Sequence, residues 1–218
     1  MKRTPRRPLL LTGFEPFGGE AINPSWQVAQ ALHGRRIGGA PVVALQLRCA
    51  FGAALQQLNA ALAEHRPRLV LALGQAGGRS DLSLERVAIN LDDARIADNA
   101  GQQPIDEAVV PGAAAAYFST LPIKAIVAAL RAAGMPASVS STAGTYVCNH
   151  VFFGLQHALA GSGVRSGFIH LPLLPEQAAN TISQPSLSLA TMVDGVALAL
   201  AVALRETSDL RQTGGTLA

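Results

Sequence analysis

The segment PLLLTGFEPFGGEAINPSWQVAQAL, residues 8–32, decides the fold class because it joins an apolar strand to a helix through a glycine-rich loop. The apolar run at residues 8–14 is typical of a buried strand. Asn23 is a favourable helix N-cap and Pro24 suits the first helical position, so a helix is predicted at residues 24–32. A strand that leads into a helix is the repeating unit of a parallel β-sheet.

The same alternation recurs along the chain. Further strands are predicted at residues 41–47, 68–73, 137–141 and 167–171, and further helices at residues 51–64, 122–133, 147–159 and 187–205. Only the middle departs from the pattern, with a strand at residues 83–91 and a polar stretch at residues 92–111. We interpret this excursion as a strand pair plus an active-site loop.

Together these elements predict an α/β fold, a single three-layer α/β/α domain with a doubly wound, mostly parallel mixed sheet. The predicted boundaries are a basic N-terminal arm at residues 1–7, a folded domain at residues 8–208 and a C-terminal tail at residues 209–218.

The composition excludes several classes of protein. With 49% apolar and 14% charged residues, the 218-residue chain is too apolar to be disordered. The net charge of +3 owes much to four basic residues at the N-terminus, namely Lys2, Arg3, Arg6 and Arg7. No basic stripe with interleaved aromatic residues follows them. We therefore expect a solvated arm and no nucleic-acid partner.

No membrane association is expected either. The apolar run after the basic arm is too short for the core of a signal peptide. The apolar stretch at residues 187–204 is interrupted by Asp194, which favours a core or interface helix over a membrane span. Cys49 and Cys148 are too few for a disulfide framework. The chain is therefore predicted to be cytoplasmic.

The unusual residues gather where the predicted strands end, which is where doubly wound sheets bind their ligands. These strand ends are residues 13–19, 74–79, 143–148 and 170–175. The loop GQAGGR at residues 74–79 matches neither the dinucleotide fingerprint nor the P-loop. In the first loop, Phe14 and Phe17 are placed to form an apolar pocket wall.

Cys148 follows a strand and a turn of small residues, and it begins a predicted helix. The free N–H groups of a helix N-terminus favour a thiolate, which is the nucleophilic form of cysteine, and could hold an oxyanion. A lone cysteine is more often buried and inert, so position alone does not decide its role. Cys49 has no comparable setting and is interpreted as structural.

A nucleophilic cysteine needs a base, and His170 is favoured by elimination because it ends a strand at the ligand edge of the sheet. The remaining histidines end helices or lie on the helix of Cys148 facing away from it or far along it, namely His33, His65, His150 and His157. A carboxylate should orient the base. Glu85 stands in an apolar strand pattern, but the pattern does not choose it over Asp92 or Asp93.

Four segments together closely resemble the pyrrolidone carboxyl peptidases, the type I pyroglutamyl peptidase family. They are LLTGFEPFGGEAINPSW at residues 10–26, GQAGGRSDLSLERVAINLDDARIADNAGQQPID at residues 74–106, SSTAGTYVCNHVFFG at residues 140–154 and HLPLLPEQ at residues 170–177. The resemblance implies a cysteine peptidase that removes an N-terminal pyroglutamyl residue through a thioester acyl-enzyme. It also implies a triad of Cys148, His170 and Glu85, which settles the choice of carboxylate.

The resemblance further implies a substrate-binding set of seven residues, namely Phe14, Phe17, Gln75, Arg95, Ile96, Tyr146 and Val147. Arg95 is expected near the reacting carbonyl, and Asn23 is expected to support the first loop. The expected substrates are peptides with an N-terminal pyroglutamate. A homodimer or homotetramer is expected, with no metal and no other cofactor.

Two other functions suit the same fold. A nucleoside-phosphorylase-like enzyme would need a phosphate site, and the glycine loops offer Arg79 as their one basic residue. A non-catalytic binding protein would leave Cys148 with ordinary thiol reactivity. The four matching segments favour the peptidase over both.

Overall fold

The computed structural model describes residues 6–179 and 183–215 of the chain. Its strands are β1 (Leu9–Phe14), β2 (Arg36–Ile37), β3 (Ala40–Leu47), β4 (Leu69–Gln75), β5 (Leu82–Glu85), β6 (Val87–Ile89), β7 (Ala116–Phe118), β8 (Ala137–Ser140) and β9 (Arg165–Leu171). Its helices are α1 (Pro24–Leu32), α2 (Ala53–His65), α3 (Ile123–Ala132), α4 (Val147–Leu159), α5 (Pro175–Ala178) and α6 (Leu189–Arg205).

One mixed sheet organises the described residues, with the strand order β2-β3-β1-β4-β9-β5-β8. Strands β3, β1, β4 and β9 run parallel to one another. Strand β5 runs antiparallel to β9 and parallel to the edge strand β8. The predicted α/β class with a mostly parallel mixed sheet is confirmed.

Helices cover both faces of this sheet and form two hydrophobic cores. Helices α1, α3 and α6 pack on one face, and α2 and α4 pack on the other. Strand β1 contributes side chains to both cores, because Leu9 and Leu11 belong to the first and Leu10 to the second. All three leucines are fully buried, as expected for a central parallel strand. Among the described helices, none is both long and apolar enough to span a lipid bilayer.

The start of α1 is tied to the end of β1. The side chain of Asn23 accepts a hydrogen bond from the backbone N–H of Ser25 at 3.0 Å, so the predicted N-cap is confirmed. The hydroxyl of Ser25 accepts from the backbone N–H of Phe14 at 2.9 Å. The Asn23 amide also donates to the carbonyl of Glu15, so this cap holds the first loop as well.

The predicted strand at residues 83–91 is wrong as a single element. Strand β5 ends at Glu85, and β6 begins at Val87 in a separate antiparallel ladder with β7. Between them, the N–H of Arg86 donates to the carbonyl of Ser140, the last residue of β8. A strand pair was predicted here, but its partner β7 was not identified.

Other differences are local. Helix α2 begins at Ala53 because Gly52 has a φ of +66° and stands outside the helix. Helix α6 begins at Leu189 because Ser188 caps it through the N–H of Thr191. The short elements β2 and α5 were not predicted, since two to four residues are too few to show a period.

Residues beyond 208 contact the domain. The carboxylate of Asp209 accepts hydrogen bonds from the N–H groups of Lys124 and Ala125, so it caps α3. The carbonyl of Gly214 accepts from the guanidinium of Arg86 at 2.8 Å. The division of the chain into arm, domain and tail stays a prediction, and residues 1–5 and 216–218 lie outside the described residues.

Glycine substitutions test how tightly the layers approach. In Gly13→Ala, the new Cβ would lie 2.3 Å from the carbonyl oxygen of Ser25, which is backbone and cannot rotate away. We expect a loss of about 3 kcal/mol in the free energy of unfolding, measured by urea denaturation. Gly154→Ala would meet only the flexible side chain of Leu55 and should cost about 1 kcal/mol.

Gly215→Ala is the control, because it would enter open space at an ordinary φ and should leave the stability unchanged. Equal losses in all three variants would contradict this description of the packing.

Candidate active site

The imidazole of His170 and the carboxylate of Glu85 form a buried pair. They lie on the antiparallel neighbours β9 and β5, and His170 Nδ1 is 2.7 Å from Glu85 Oε1. His170 is 4% exposed and Glu85 is 0% exposed. A carboxylate can only accept in this pair, so Nδ1 carries the hydrogen and Nε2 is left free to take up a proton.

The thiol of Cys148 lies against β4 beside this pair. A Cβ built on Gly74 would stand 2.8 Å from Cys148 Sγ and 2.7 Å from the ring of Phe168. Gly74 is the direct partner of His170 in the parallel ladder of β4 and β9. Paired residues of a ladder present their side chains on one face of the sheet. The structure therefore brings Cys148 and His170 to the same face of the sheet, where β4 and β9 end side by side.

Helix α4 begins as predicted, with Cys148 in its first turn. Burial raises the pKa of Cys148 well above that of a free thiol. The neighbouring charges of Cys49 and Glu85 raise this pKa further, while the guanidinium of Arg79 lowers it. Burial therefore opposes the thiolate form that a position at a helix N-terminus favours.

Arg79 completes the cluster, although the sequence analysis did not include it among the site residues. Its Nη1 donates to Glu85 Oε1 at 2.7 Å, and its Nη2 donates to the carbonyl of Thr142 at 3.2 Å. Glu85 Oε1 is thus shared by Arg79 and His170. A signal was present in the sequence, since Arg79 is the only ionisable residue of the loop GQAGGR.

Aromatic side chains gather around Tyr146, two residues before Cys148 in the chain. The rings of Phe17 and Tyr146 have centroids 6.2 Å apart, and both residues are partly exposed. Phe51 meets Tyr146 edge to face at 5.5 Å. Phe14 and Val147 belong to the core behind them, with only 2% and 0% exposure. Of the predicted apolar contacts, Phe17 and Tyr146 therefore offer side-chain surface to a ligand, and Val147 could contribute its backbone N–H.

Gln75 supplies a polar group at the end of β4. Its Oε1 accepts a hydrogen bond from Gln177 Nε2 at 3.1 Å. Gln177 is itself fixed, because its Oε1 accepts from the N–H of Leu174 at 3.0 Å. This arrangement leaves the amide NH₂ of Gln75 as the donor available to a ligand. Gln177 belongs to the quoted HLPLLPEQ segment but was not singled out as a site residue.

The polar excursion packs on the turn before Cys148. Asp93 and Thr145 exchange two hydrogen bonds, at 3.0 and 2.7 Å. The hydroxyl of Tyr146 donates to the carbonyl of Ala97 at 3.1 Å. Arg95 and Ile96 lie between these attachments and are exposed, Ile96 by 47%. The two predicted substrate contacts of this loop therefore lie between residues that are bonded to Thr145 and Tyr146, just before Cys148 in the chain.

His150 and Asp92 form a second buried pair outside this cluster. His150 Nδ1 is 2.7 Å from Asp92 Oδ2, and its Nε2 accepts from the N–H of Gly52 at 3.0 Å. Both ring nitrogens are therefore occupied, so His150 has no free nitrogen to serve as the base. The sequence pattern alone could not exclude Asp92 as the orienting carboxylate. In the structure its carboxylate is hydrogen-bonded to His150.

Across residues 6–179 and 183–215, no group of three or more His, Cys, Asp or Glu side chains is arranged to bind an ion.

Comparisons with known proteins place this geometry in context. The model of the family described as pyroglutamyl peptidase matches residues 7–206. The pyrrolidone-carboxylate peptidase of Cupriavidus pinatubonensis is 61% identical over 214 residues, covering 97% of this chain and 99% of that protein. The pyrrolidone-carboxylate peptidase of Klebsiella pneumoniae is 60% identical over 208 residues, covering 95% and 97%.

Solved structures agree with these relatives. The crystal structure of pyroglutamyl peptidase I from Bacillus amyloliquefaciens superposes with a TM-score of 0.92 at 44% identity, covering 95% of this chain and 100% of that one. A mutant pyrrolidone carboxyl peptidase from the hyperthermophile Pyrococcus furiosus gives a TM-score of 0.88 at 45% identity, covering 90% and 98%.

Alkylation tests the protonation state of the thiol. In a Cys49→Ala variant, the rate of modification of Cys148 by iodoacetamide should rise steadily from about pH 6 to about pH 10, because the thiolate forms only at high pH. The modified residue is identified by mass spectrometry. A rate that levels off at acidic pH would instead reveal a preformed thiolate.

The matched control is Cys148→Ala. Burial raises the pKa of Cys49 to about 12, with the charges of Glu15 and Asp98 adding to it. Cys49 should therefore stay unmodified under the same native conditions.

Proposed function

Because the chain belongs to the pyroglutamyl peptidase family, we propose that it hydrolyses the bond after an N-terminal pyroglutamyl residue with Cys148 as nucleophile, His170 as base and Glu85 as orienting carboxylate. The chain is a hydrolase, a cysteine-type omega peptidase. One observation supports the residue assignment above others: Cys148 Sγ lies over Gly74, the ladder partner of His170.

The first step joins attack to proton transfer. Nε2 of His170 accepts the proton of the Cys148 thiol while Sγ bonds to the pyroglutamyl carbonyl carbon. This order suits a thiol whose pKa is raised by burial, since no thiolate has to exist before the substrate binds. The carbonyl oxygen becomes an oxyanion. The N–H groups in the first turn of α4, which have no acceptor within the helix, are placed to hold it.

The second step releases the amine. The carbon–nitrogen bond breaks, and the imidazolium of His170 gives its proton to the departing amine, which leaves a pyroglutamyl thioester on Cys148. Water then loses a proton to His170 as it attacks the thioester. Collapse of the second tetrahedral intermediate frees pyroglutamate and returns the proton to Cys148. Glu85 stabilises the imidazolium in both halves of the cycle.

The substrate group explains the chemistry of the pocket. The first residue of the substrate is closed into a lactam and has no free amine, so its site needs no carboxylate partner. A flat apolar slot beside Phe17 and Tyr146 suits the ring. The amide NH₂ of Gln75 would donate to the lactam carbonyl, because Gln177 occupies the Gln75 oxygen. Losing one such buried partner typically costs about 1–3 kcal/mol.

Alternative functions are weaker. The matched family and the similar proteins are peptidases, which does not favour a nucleoside-phosphorylase-like enzyme or a non-catalytic binding protein. A cytoplasmic location is supported by the free thiols of Cys49 and Cys148 and stays a prediction. Assembly into a homodimer or homotetramer also stays a prediction.

Hydrolysis of fluorogenic arylamides tests the proposal. The chain should cleave the pyroglutamyl reporter and leave the prolyl and glutamyl reporters intact. Cys148→Ser should abolish turnover, because an alcohol is a far weaker nucleophile beside the same base. Glu85→Gln should lower kcat by about 10²- to 10⁴-fold, because the imidazolium loses its counter-charge.

Cys49→Ala is the matched cysteine control and should retain activity. Full activity in Cys148→Ser, or equal cleavage of all three reporters, would end the proposal.

A further inference from the structure

The carboxylate of Glu85 has an unusual set of partners for a group that merely orients a histidine. It is fully buried, and one oxygen, Oε1, receives both His170 Nδ1 and Arg79 Nη1, each at 2.7 Å. The other oxygen, Oε2, is buried and has no hydrogen-bond partner among the described residues. All the hydrogen bonds that the Glu85 carboxylate receives from the described residues therefore come from two donors at the single atom Oε1.

These two donors differ in a way that matters for the base. A buried carboxylate whose only partner is a neutral histidine has a strong tendency to bind a proton, either on itself or through an imidazolium. Either state would spoil His170 as the acceptor of a thiol proton. Arginine carries a permanent positive charge, so it satisfies the carboxylate without exchanging a proton.

The backbone delivers Arg79 to this position. The loop after β4 turns at Gly78, whose φ is +82°, and the N–H of Arg79 bonds to the carbonyl of Ala76. The second guanidinium nitrogen bonds to the carbonyl of Thr142, in the turn that precedes Cys148. Arg79 thus links the loop after β4, strand β5 and the turn leading to the nucleophile.

The other ionisable groups near the pair are accounted for. Cys148 on α4 faces it, and the positive charge of Arg79 partly offsets the effect of Glu85 on the pKa of that thiol. Asp81, from the same loop as Arg79, accepts from the hydroxyl of Ser83, the ladder partner of His170. Cys49 also raises the pKa of Cys148. Among the described groups, Arg79 is the cation bonded to the carboxylate.

We propose that Arg79 is a positioning residue that keeps Glu85 ionised and His170 neutral in the resting enzyme. The inference rests on the proposed function of the Cys148, His170 and Glu85 cluster. It adds that the pH at which the base becomes available is set by Arg79, which is not one of these three residues. Without Arg79, the Glu85–His170 pair should take up a proton at higher pH, whichever of the two holds it.

The test compares pH profiles of kcat/KM for the pyroglutamyl reporter. In Arg79→Gln, the acidic limb should move up by about one pH unit, because a positive charge close to the pair has been removed. Below that limb, kcat/KM should fall about tenfold, and at alkaline pH it should approach the wild-type value. Arg79→Lys keeps the charge and should hold the limb near its original place.

Arg86→Gln is the matched control. It removes the same charge one residue after Glu85, but its guanidinium bonds to the carbonyl of Gly214, away from the pair. Its profile should coincide with that of the unchanged protein. A uniform loss at every pH in Arg79→Gln would indicate a structural role only and would overturn the proposal.

A second readout needs no substrate. NMR titration of the His170 imidazole, assigned by its absence in His170→Gln, should show protonation at higher pH in Arg79→Gln than in the unchanged protein. If the reporter is not hydrolysed at all, the proposed function fails, while this titration still decides the role of Arg79. Arg79→Met, which keeps the apolar stem, serves if Arg79→Gln does not fold. Identical titrations would refute the inference.

Discussion

The candidate site depends on the absence of a side chain at Gly74. A Cβ on Gly74 would lie within 2.8 Å of Cys148 Sγ and 2.7 Å of the Phe168 ring, so only glycine lets the sulfur approach β4 this closely. Because Gly74 is paired with His170 in the ladder, the same gap puts the thiol beside the strand that carries the base. The parallel sheet contributes by ending both strands at one edge.

Burial and charge oppose each other around this gap. Desolvation raises the pKa of the Cys148 thiol and so favours its neutral form. The guanidinium of Arg79 donates to the buried carboxylate of Glu85, which also accepts a hydrogen bond from the imidazole of His170. In the proposed mechanism, charge develops at the reacting atoms as the thiol proton moves to His170.

Much of this molecule could be predicted from its sequence because its signals are local. The N-cap at Asn23, the start of α4 and the α/β alternation each depend on residues close together in the chain. What could not be predicted depends on contacts between distant segments. At the break between β5 and β6, Arg86 bonds to the backbone of Ser140 and of Ser119, and the raised pKa of Cys148 follows from burial.

The most direct test of the central claim is a crystal structure of the chain with a pyroglutamyl aldehyde, which forms a hemithioacetal with a nucleophilic cysteine. The expected result is a covalent bond from Cys148 Sγ to the aldehyde carbon. His170 Nε2 should then lie within hydrogen-bond reach of the adduct, and the lactam ring should pack against Phe17 and Tyr146. An aldehyde bound without a bond to Cys148, or an imidazole turned away from it, would contradict the claim.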